Sequence, residues 1–336
     1  MKEGDNGKNG GAAPDGGSGL LHALSEAIEA AGAAAWGVAE AGEVDPAVIS
    51  SYDSFIARGL HASMEYLERY REIRANPLRL LEGEPTRGCV ISCAFPYTSD
   101  YSPAPGAGRI ARYALGDDYH DVLRKRLRPA AELLRAAGFQ GRVCVDSAPI
   151  LERYWAERAG LGSIGLNHQL SIPGLGSYFF LAEIVTDALY EALAAAETTG
   201  KGRRGDESPS DNGNTGQRCA GCGACARACP TGALRPDGSF DARLCLNYLT
   251  IEHRGPIPET VGGRPAEELL RDVIYGCDRC QECCPLNRAI TAEPLPEFRP
   301  RPALLTLSRE ALDTLSPEAR ATLLRRSPLR RGLNRR

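Results

Sequence analysis

The period of the apolar positions changes several times along the chain. Leu21, Leu24, Ile28 and Ala31 recur at helical spacing, which predicts an amphipathic helix over residues 20–33. Residues 34–39 read as a short strand and residues 46–58 as a second helix. A polar and aromatic stretch follows at residues 59–67. Residues 88–95 (Gly-Cys-Val-Ile-Ser-Cys-Ala-Phe) read as a buried strand. Cys89 and Cys93 share one face of it by period two and are expected to be small core residues. Residues 117–137 predict a long amphipathic helix and residues 141–145 a strand. Residues 151–159 predict a helix ended by Gly160 and Gly162, and residues 178–186 a last buried strand. Strands alternating with helices over residues 19–194 predict an α/β domain, an α+β sandwich with a mixed or antiparallel sheet. The pattern does not give the strand order.

The flanks differ in composition. Residues 1–18 are Gly-rich and polar, lack the apolar core of a signal peptide, and are expected to be a disordered leader. Residues 195–216 are rich in Gly, Ser, Asp and Asn and predict a flexible linker or insertion. Residues 217–296 hold most of the cysteines. A Pro-rich exit and two short helices within 307–327 make residues 297–336 a basic helical C-terminal segment. From Arg320 to Arg336 there are seven Arg and no Asp or Glu, so this end is either a solvated terminus or a contact for a phosphate backbone. The net charge of −3 over 336 residues decides little, but 43% hydrophobic residues support two globular domains. No apolar run reaches the length of a membrane-spanning helix, so a cytoplasmic protein is expected.

The cysteines carry the first chemistry. Cys219, Cys222, Cys225 and Cys229 before Pro230 form C-x2-C-x2-C-x3-C-P, the loop spacing of a bacterial ferredoxin. In two-cluster ferredoxins the fourth Cys of such a run ligates the other cluster, so a second set is required. It is supplied by Cys277, Cys280, Cys283 and Cys284 before Pro285, with Cys245 between the groups. The crossed assignment gives one [4Fe–4S] cluster to Cys219, Cys222, Cys225 and Cys284. The other takes Cys229, Cys245, Cys277 and Cys280. Cys283 is then spare, because Cys284 precedes a proline as Cys229 does. The alternative is a pair of zinc knuckles, which need neither this third and fourth Cys nor the Cys-Pro endings. A disulfide framework does not suit adjacent cysteines without a secretory signal.

A two-cluster carrier does not need 190 residues in front of it, so the N-terminal domain is expected to hold an electron acceptor. Asp146 follows a predicted strand and enters a turn, where side chains reach pockets. Burial would keep such an acid protonated and let it donate a proton. The alternative makes Asp146 a helix cap and Glu152, Arg153, Glu157 and Arg158 a solvated salt-bridge face.

The chain also resembles the epoxyqueuosine reductases over roughly residues 20–295. The resemblance rests on Gly59-Leu-His61-Ala-Ser-Met64-Glu-Tyr66-Leu67, Arg112-Tyr113-Ala-Leu-Gly116-Asp-Asp118-Tyr119-His120 and Asp146-Ser-Ala-Pro149-Ile-Leu-Glu152-Arg153. It continues through Ala156-Glu157-Arg158-Ala-Gly160-Leu-Gly162-Ser-Ile-Gly165-Leu-Asn167, Gly176-Ser177-Tyr-Phe-Phe-Leu-Ala-Glu183, Arg243-Leu-Cys245-Leu-Asn-Tyr248-Leu-Thr-Ile251-Glu252 and Tyr275-Gly276-Cys277-Asp278. It implies a cobalamin-dependent enzyme with two [4Fe–4S] clusters that reduces epoxyqueuosine to queuosine at the tRNA wobble position. It implies a cobalamin-binding α/β domain ahead of a ferredoxin-like module, with Asp146 as proton donor. His120 and Arg153 match positions near the substrate or corrin, and Tyr113, Asn167 and Asn247 other positions of that pocket. Cobalt is expected without a lower protein ligand, since the D-x-H-x-x-G pattern is incomplete: Asp118-Tyr-His120 is followed by Leu at 123. The implied partners are the anticodon loop of queuosine-type tRNA and a flavodoxin or ferredoxin donor, with the enzyme a monomer. The rivals are a reductive dehalogenase-like reductase, a two-cluster electron-transfer subunit without corrin, and a nucleic-acid-binding iron–sulfur protein without redox turnover.

Overall fold

The computed structural model describes residues 16–97, 101–190, 193, 202–204, 218–288, 290 and 292–333. The leader therefore lies almost wholly outside the described residues. The N-terminal region runs α1 (Gly16–Ala30), β1 (Ala35–Ala41), α2 (Pro46–Ala57), α3 (Arg71–Ala75), β2 (Gly88–Pro96), β3 (Arg109–Ile110) and α4 (Tyr119–Ala136). It continues with β4 (Gly141–Cys144), α5 (Glu152–Arg158), β5 (Ser163–Ile164), β6 (Leu170–Ser171), β7 (Phe179–Thr186) and β8 (Gly202–Arg204).

β4, β7, β2, β1 and β8 form one sheet in that spatial order. The first four pair antiparallel, and β8 adds parallel to β1, so the sheet is mixed. β2 lies at its centre and is buried along its whole length, as its mostly apolar composition favours. On one face α1 and α4 cover Cys89, Ile91, Cys93 and Phe95 with Leu21, Leu24, Ile28, Leu123, Leu127 and Leu134. On the other face Trp155 and Ala156 of α5 cover Val90, Ala94 and Val185. Each of these large side chains stabilises the fold by about 1.5–3 kcal/mol through burial. Cys89 and Cys93 are core residues, as period two predicts.

One expectation changes. The stretch 195–216 reads as a linker, yet Gly202–Arg204 pairs with Trp36–Val38. The open edge of β1 offers unpaired backbone groups that a polar segment can satisfy without any apolar pattern of its own. The rest of that stretch lies outside the described residues, which resume at Arg218.

The cysteine-rich module contains α6 (Ala224–Ala228), α7 (Leu246–Ile251), β9 (Thr260–Val261), β10 (Arg264–Pro265), α8 (Ala266–Leu270), β11 (Val273–Tyr275) and α9 (Arg279–Glu282). Its small core is Ala242, Leu246, Tyr248, Leu249, Val261, Ala266 and Leu269. β11 pairs parallel with β3, which joins the module to the α/β domain. The C-terminal segment adds α10 (Pro302–Leu305), α11 (Arg309–Thr314), α12 (Pro317–Leu324) and α13 (Leu329–Leu333). Leu304, Leu312, Leu324, Leu329 and Leu333 pack on Ile110, Leu115, Ile251 and Tyr275. This end is therefore docked across both parts rather than free in solvent. Among the described residues no helix is long and apolar enough to cross a membrane.

Candidate functional site

The site begins at the N-terminus of α4. Asp118 caps this helix, its Oδ1 accepting the His120 backbone N–H at 3.2 Å. The same Oδ1 pairs with His120 Nδ1 at 2.7 Å, and the His120 Nε2 lies 2.8 Å from Asp146 Oδ2. Tyr119 Oη donates to that Asp146 oxygen at 2.9 Å. The Tyr119 ring stacks on Phe180 of β7, centroids 4.2 Å apart, and on the His120 ring at 4.1 Å. The Asp118 cap behind His120 and the Phe180 ring behind Tyr119 thus hold two side chains on the Asp146 carboxylate.

Asp146 lies two residues beyond β4 with φ +55°, a left-handed conformation that Asp tolerates better than most residues. Its backbone N–H donates to Glu152 Oε1 at 2.6 Å. The helix-cap alternative fails, since Leu151 occupies the N-cap of α5 and no side chain caps it. The solvated salt-bridge face is also not formed as read: Glu152 turns to Asp146, and Glu157 Oε1 accepts the Ile164 N–H at 2.7 Å.

The charge states differ from the simple burial argument. Crowding favours a protonated Asp146, but the His120 hydrogen bond and charge outweigh it, and its carboxyl is held below the usual range. Burial opposes charge on His120, but Asp118 and Asp146 on its two nitrogens raise its affinity for a proton. Asp118 is 2% exposed, yet the hydrogen bonds from His120 and Arg331 overcome desolvation and bring its carboxyl down to about 2. This balance favours a proton on His120 over either neighbouring carboxylate. Desolvation, and then the Asp146 charge, push the Glu152 carboxyl up to about 8.

The Asp146 side chain is 56% exposed, so it faces an open space while its partners are buried. Around it stand Arg153, exposed and within charge range of Asp146 and Glu152, and Tyr113, whose ring meets Tyr119 edge-on at 6.2 Å. Tyr66, half exposed, lies within charge range of both Asp146 and Glu252 of the cysteine module. Tyr66 is thus near acids of both the α/β domain and the module. Asn167 and Asn247 lie against the module. Asn167 Nδ2 donates to the Cys280 carbonyl at 3.4 Å, and a side chain at Gly276 would meet Asn247 Oδ1.

The cysteines sort into two groups by mutual influence. Cys225 is raised by burial and by Cys219 and Cys284. Cys245 is raised by burial and by Cys229, while burial takes Cys277 up to about 11 with Cys245 adding. Cys280 is raised by burial, Cys277 and Cys245. Burial opposes ionisation of Cys229, but backbone N–H groups of Leu234, Thr231 and Ala233 reverse this and favour a thiolate. Cys225 also acts on Cys280, so the two groups are not fully separate. Cys283 also stands among Cys225, Cys284 and Cys222, so it is a fifth thiol at the first group. Leu166 N–H points at Cys219 Sγ, 3.5 Å away. Among the described residues no three His, Cys, Asp or Glu side chains close on a point as around a single metal ion.

Sequence reasoning did not single out Tyr119, Asp118, Glu152, Tyr66 or Glu183 as site residues. The signal for Glu183 was present: it is one carboxylate inside an otherwise apolar strand, and it is 0% exposed.

Comparison with known proteins follows the same division. Residues 74–147 match the family model described as epoxyqueuosine reductase QueG, DUF1730. Residues 218–287 match a 4Fe-4S double cluster binding domain. The chain is 32% identical over 285 residues to an epoxyqueuosine reductase of Cyclobacterium marinum, covering 83% of this chain and 82% of that one. It is 35% identical over 286 residues to the Pseudomonas aeruginosa enzyme of the same name, covering 83% and 72%. Among solved structures, an epoxyqueuosine reductase with an epoxyqueuosine-modified tRNA-Tyr stem loop superposes with a TM-score of 0.75 at 27% identity, covering 94% and 78%. An epoxyqueuosine reductase from Bacillus subtilis, its catalytic aspartate loop swung out of the active site, gives a TM-score of 0.74 at 26% identity, with the same coverage.

Proposed function

The chain belongs to the epoxyqueuosine reductase family, and from that premise we propose how its own residues reduce epoxyqueuosine to queuosine in tRNA. The observation that carries the reading is Asp146, open to the space between the two parts and bonded behind to a charged imidazole. Opening an epoxide to an alkene takes two electrons and two protons and releases one water. The 4Fe-4S double-cluster domain at 218–287 is the electron path toward the site. Cys219, Cys222, Cys225 and Cys284 hold one cluster, and Cys229, Cys245, Cys277 and Cys280 the other. A flavodoxin or ferredoxin supplies the electrons.

The opening also fits cobalamin. A corrin presents an apolar face and a rim of amides, and the opening offers half-exposed Tyr66, Tyr113 and the cation of Arg153. Asn167 and Asn247 would meet it from the module side. His120 has both ring nitrogens committed to carboxylates, so it offers none to cobalt. When bound, cobalamin supplies a strongly reducing cobalt centre beside the epoxide. The protein's own part is proton supply and placement. Asp146 passes a proton from His120 to the departing oxygen, Tyr119 holds the same carboxylate oxygen, and Glu152 holds the Asp146 backbone. Residues 19–194 then form the cobalamin-binding domain, 217–296 the cluster domain, and 297–336 a C-terminal segment. The anticodon stem loop of a queuosine-type tRNA enters from the open side.

The test is anaerobic reconstitution with iron, sulfide and cobalamin, followed by single turnover of an epoxyqueuosine-bearing stem loop. About eight irons and one retained corrin per chain, with conversion to queuosine, are expected. Asp146→Asn should keep both cofactors and lose about 10²- to 10⁴-fold in rate. Eight irons without retained corrin would instead support the electron-transfer subunit, and an Asp146→Asn rate near wild type would remove Asp146 as the acid.

A further inference from the structure

Three arginines of the C-terminal segment, Arg326, Arg330 and Arg331, pair with acids at the start of α4. Arg331 Nε donates to Asp118 Oδ2 at 2.8 Å, so both oxygens of that carboxylate are used, one by His120 and one by Arg331. Arg326 pairs with Asp117, and its carbonyl accepts the Asp118 N–H at 2.7 Å. Arg330 lies 3.7 Å from Asp121, one turn further along α4. Arg320 is bonded to the Leu333 carbonyl at 3.1 Å, which closes the segment on itself. The Asp117 N–H donates to the Glu297 carbonyl at 2.8 Å, and Gly116 lies so close to Glu297 and Phe298 that a Cβ there would stand 2.6 Å from the Glu297 oxygen. Three successive acidic positions at the start of α4 are therefore gripped by one strap. The segment reads in sequence as either a solvated terminus or a contact for phosphates, but here three of its cations pair with that helix start.

The contacts form an unbroken line from the strap to the reaction site: Arg331, Asp118, His120, Asp146. We propose that Arg331 is a positioning residue for the reduction, acting through Asp118 to aim the His120 imidazole at Asp146. The proposal rests on the functional reading above. An imidazole bonded only to Asp146 could turn about its side-chain bonds. Asp118 on the second nitrogen fixes the ring, and Asp118 is itself fixed by Arg331 because its cap bond alone leaves one oxygen loose. The groups that face this line are Asp118, Asp117 and Asp121 at the start of α4, Tyr119 beside them, and Asp146 and Glu152 beyond β4. Tyr113 and Tyr275 complete the surroundings, Tyr275 donating to the Pro328 carbonyl at 3.3 Å just ahead of α13. His120 is the one imidazole among them. Its proton is the one that replenishes Asp146.

The experiment is a pair of double-mutant cycles on the cofactor-loaded full chain. In the first, single turnover of the epoxyqueuosine stem loop is measured for Arg331→Ala, Asp118→Asn and both together. Arg331→Ala should slow the reaction about 10- to 100-fold with unchanged stem-loop affinity, the size expected of misaligned groups. It should slow it no further in the Asp118→Asn background, and Arg331→Lys should recover part of the rate. Losses that multiply in the double variant, or weaker stem-loop binding with an unchanged rate, would overturn the proposal, the latter by making the segment an RNA contact. The second cycle needs no turnover, and so separates this proposal from the functional reading. The melting temperatures of Arg331→Ala, His120→Gln and the pair should fall by less than the sum of the single losses. That shortfall should vanish when Asp118 is Asn. Additive losses with Asp118 intact would mean that the strap only anchors the fold, and the proposal would fall.

Discussion

Replacing Glu183 by Gln should change how stability depends on pH. Glu183 sits on β7 between Ser92 of β2 and Cys144 of β4 in the pairing register. It is 0% exposed, and neither carboxyl oxygen has a hydrogen-bond partner among the described residues. Burial, then the charges of Glu152 and Asp146, raise its carboxyl well above the usual range, so the native state carries it neutral. In the unfolded chain it ionises near pH 4.3. The folded state then binds one more proton than the unfolded state at every pH between that value and the raised one. Stability from this group is full below about pH 4.3 and is lost at about 1.4 kcal/mol per pH unit as pH rises toward the folded pKa. Between pH 5.5 and 7.5 the loss is about 2.7 kcal/mol. Gln keeps the shape and removes the titration. Ser92 Oγ and Trp155 Nε1 are also buried without a hydrogen-bond partner among the described residues, so the absolute stability of the variant is less informative than its slope. Denaturant unfolding of the loaded protein at the two pH values should show wild type losing about 2–3 kcal/mol more than Glu183→Gln. Equal losses would mean that Glu183 is ionised in the fold and that its partners have been misassigned. The infrared band of a protonated carboxyl, present in wild type and absent in the variant, is an independent check.

Two further perturbations test the cluster ligands and the strap. Cys284→Ser should lose about half the iron while Cys283→Ser keeps about eight atoms per chain; the opposite counts would exchange the two thiols in the ligand set. Gly116→Ala should lower stability by about 1–3 kcal/mol, because its methyl would press on the Glu297 and Phe298 backbone, and an unchanged melting temperature would show that the strap does not lie against this turn.

Much of the fold was legible because its elements have strong periods. β2 and β7 coincide with mostly apolar runs, and α4 follows its amphipathic stripe within two residues at either end. The cysteine spacing named the clusters, because a loop that grips a cubane needs its ligands at short, fixed separations. Asp146 was marked by its place after a strand, but its charge state was not. Burial argued for a neutral acid, whereas His120, distant in sequence by 26 residues, delivers the opposing charge. Local pattern determined the strands, the helices, the two sets of cysteines and the position of the acid. Only the tertiary structure decided the sheet order, the location of the proton, and the use of the C-terminal arginines. The reason is physical: period and spacing are set by neighbours along the chain, while the line from Arg331 through Asp118 joins residues 213 positions apart. Charges paired across such a distance leave no period in the sequence, and a run of arginines looks the same whether it meets phosphate or the start of a helix.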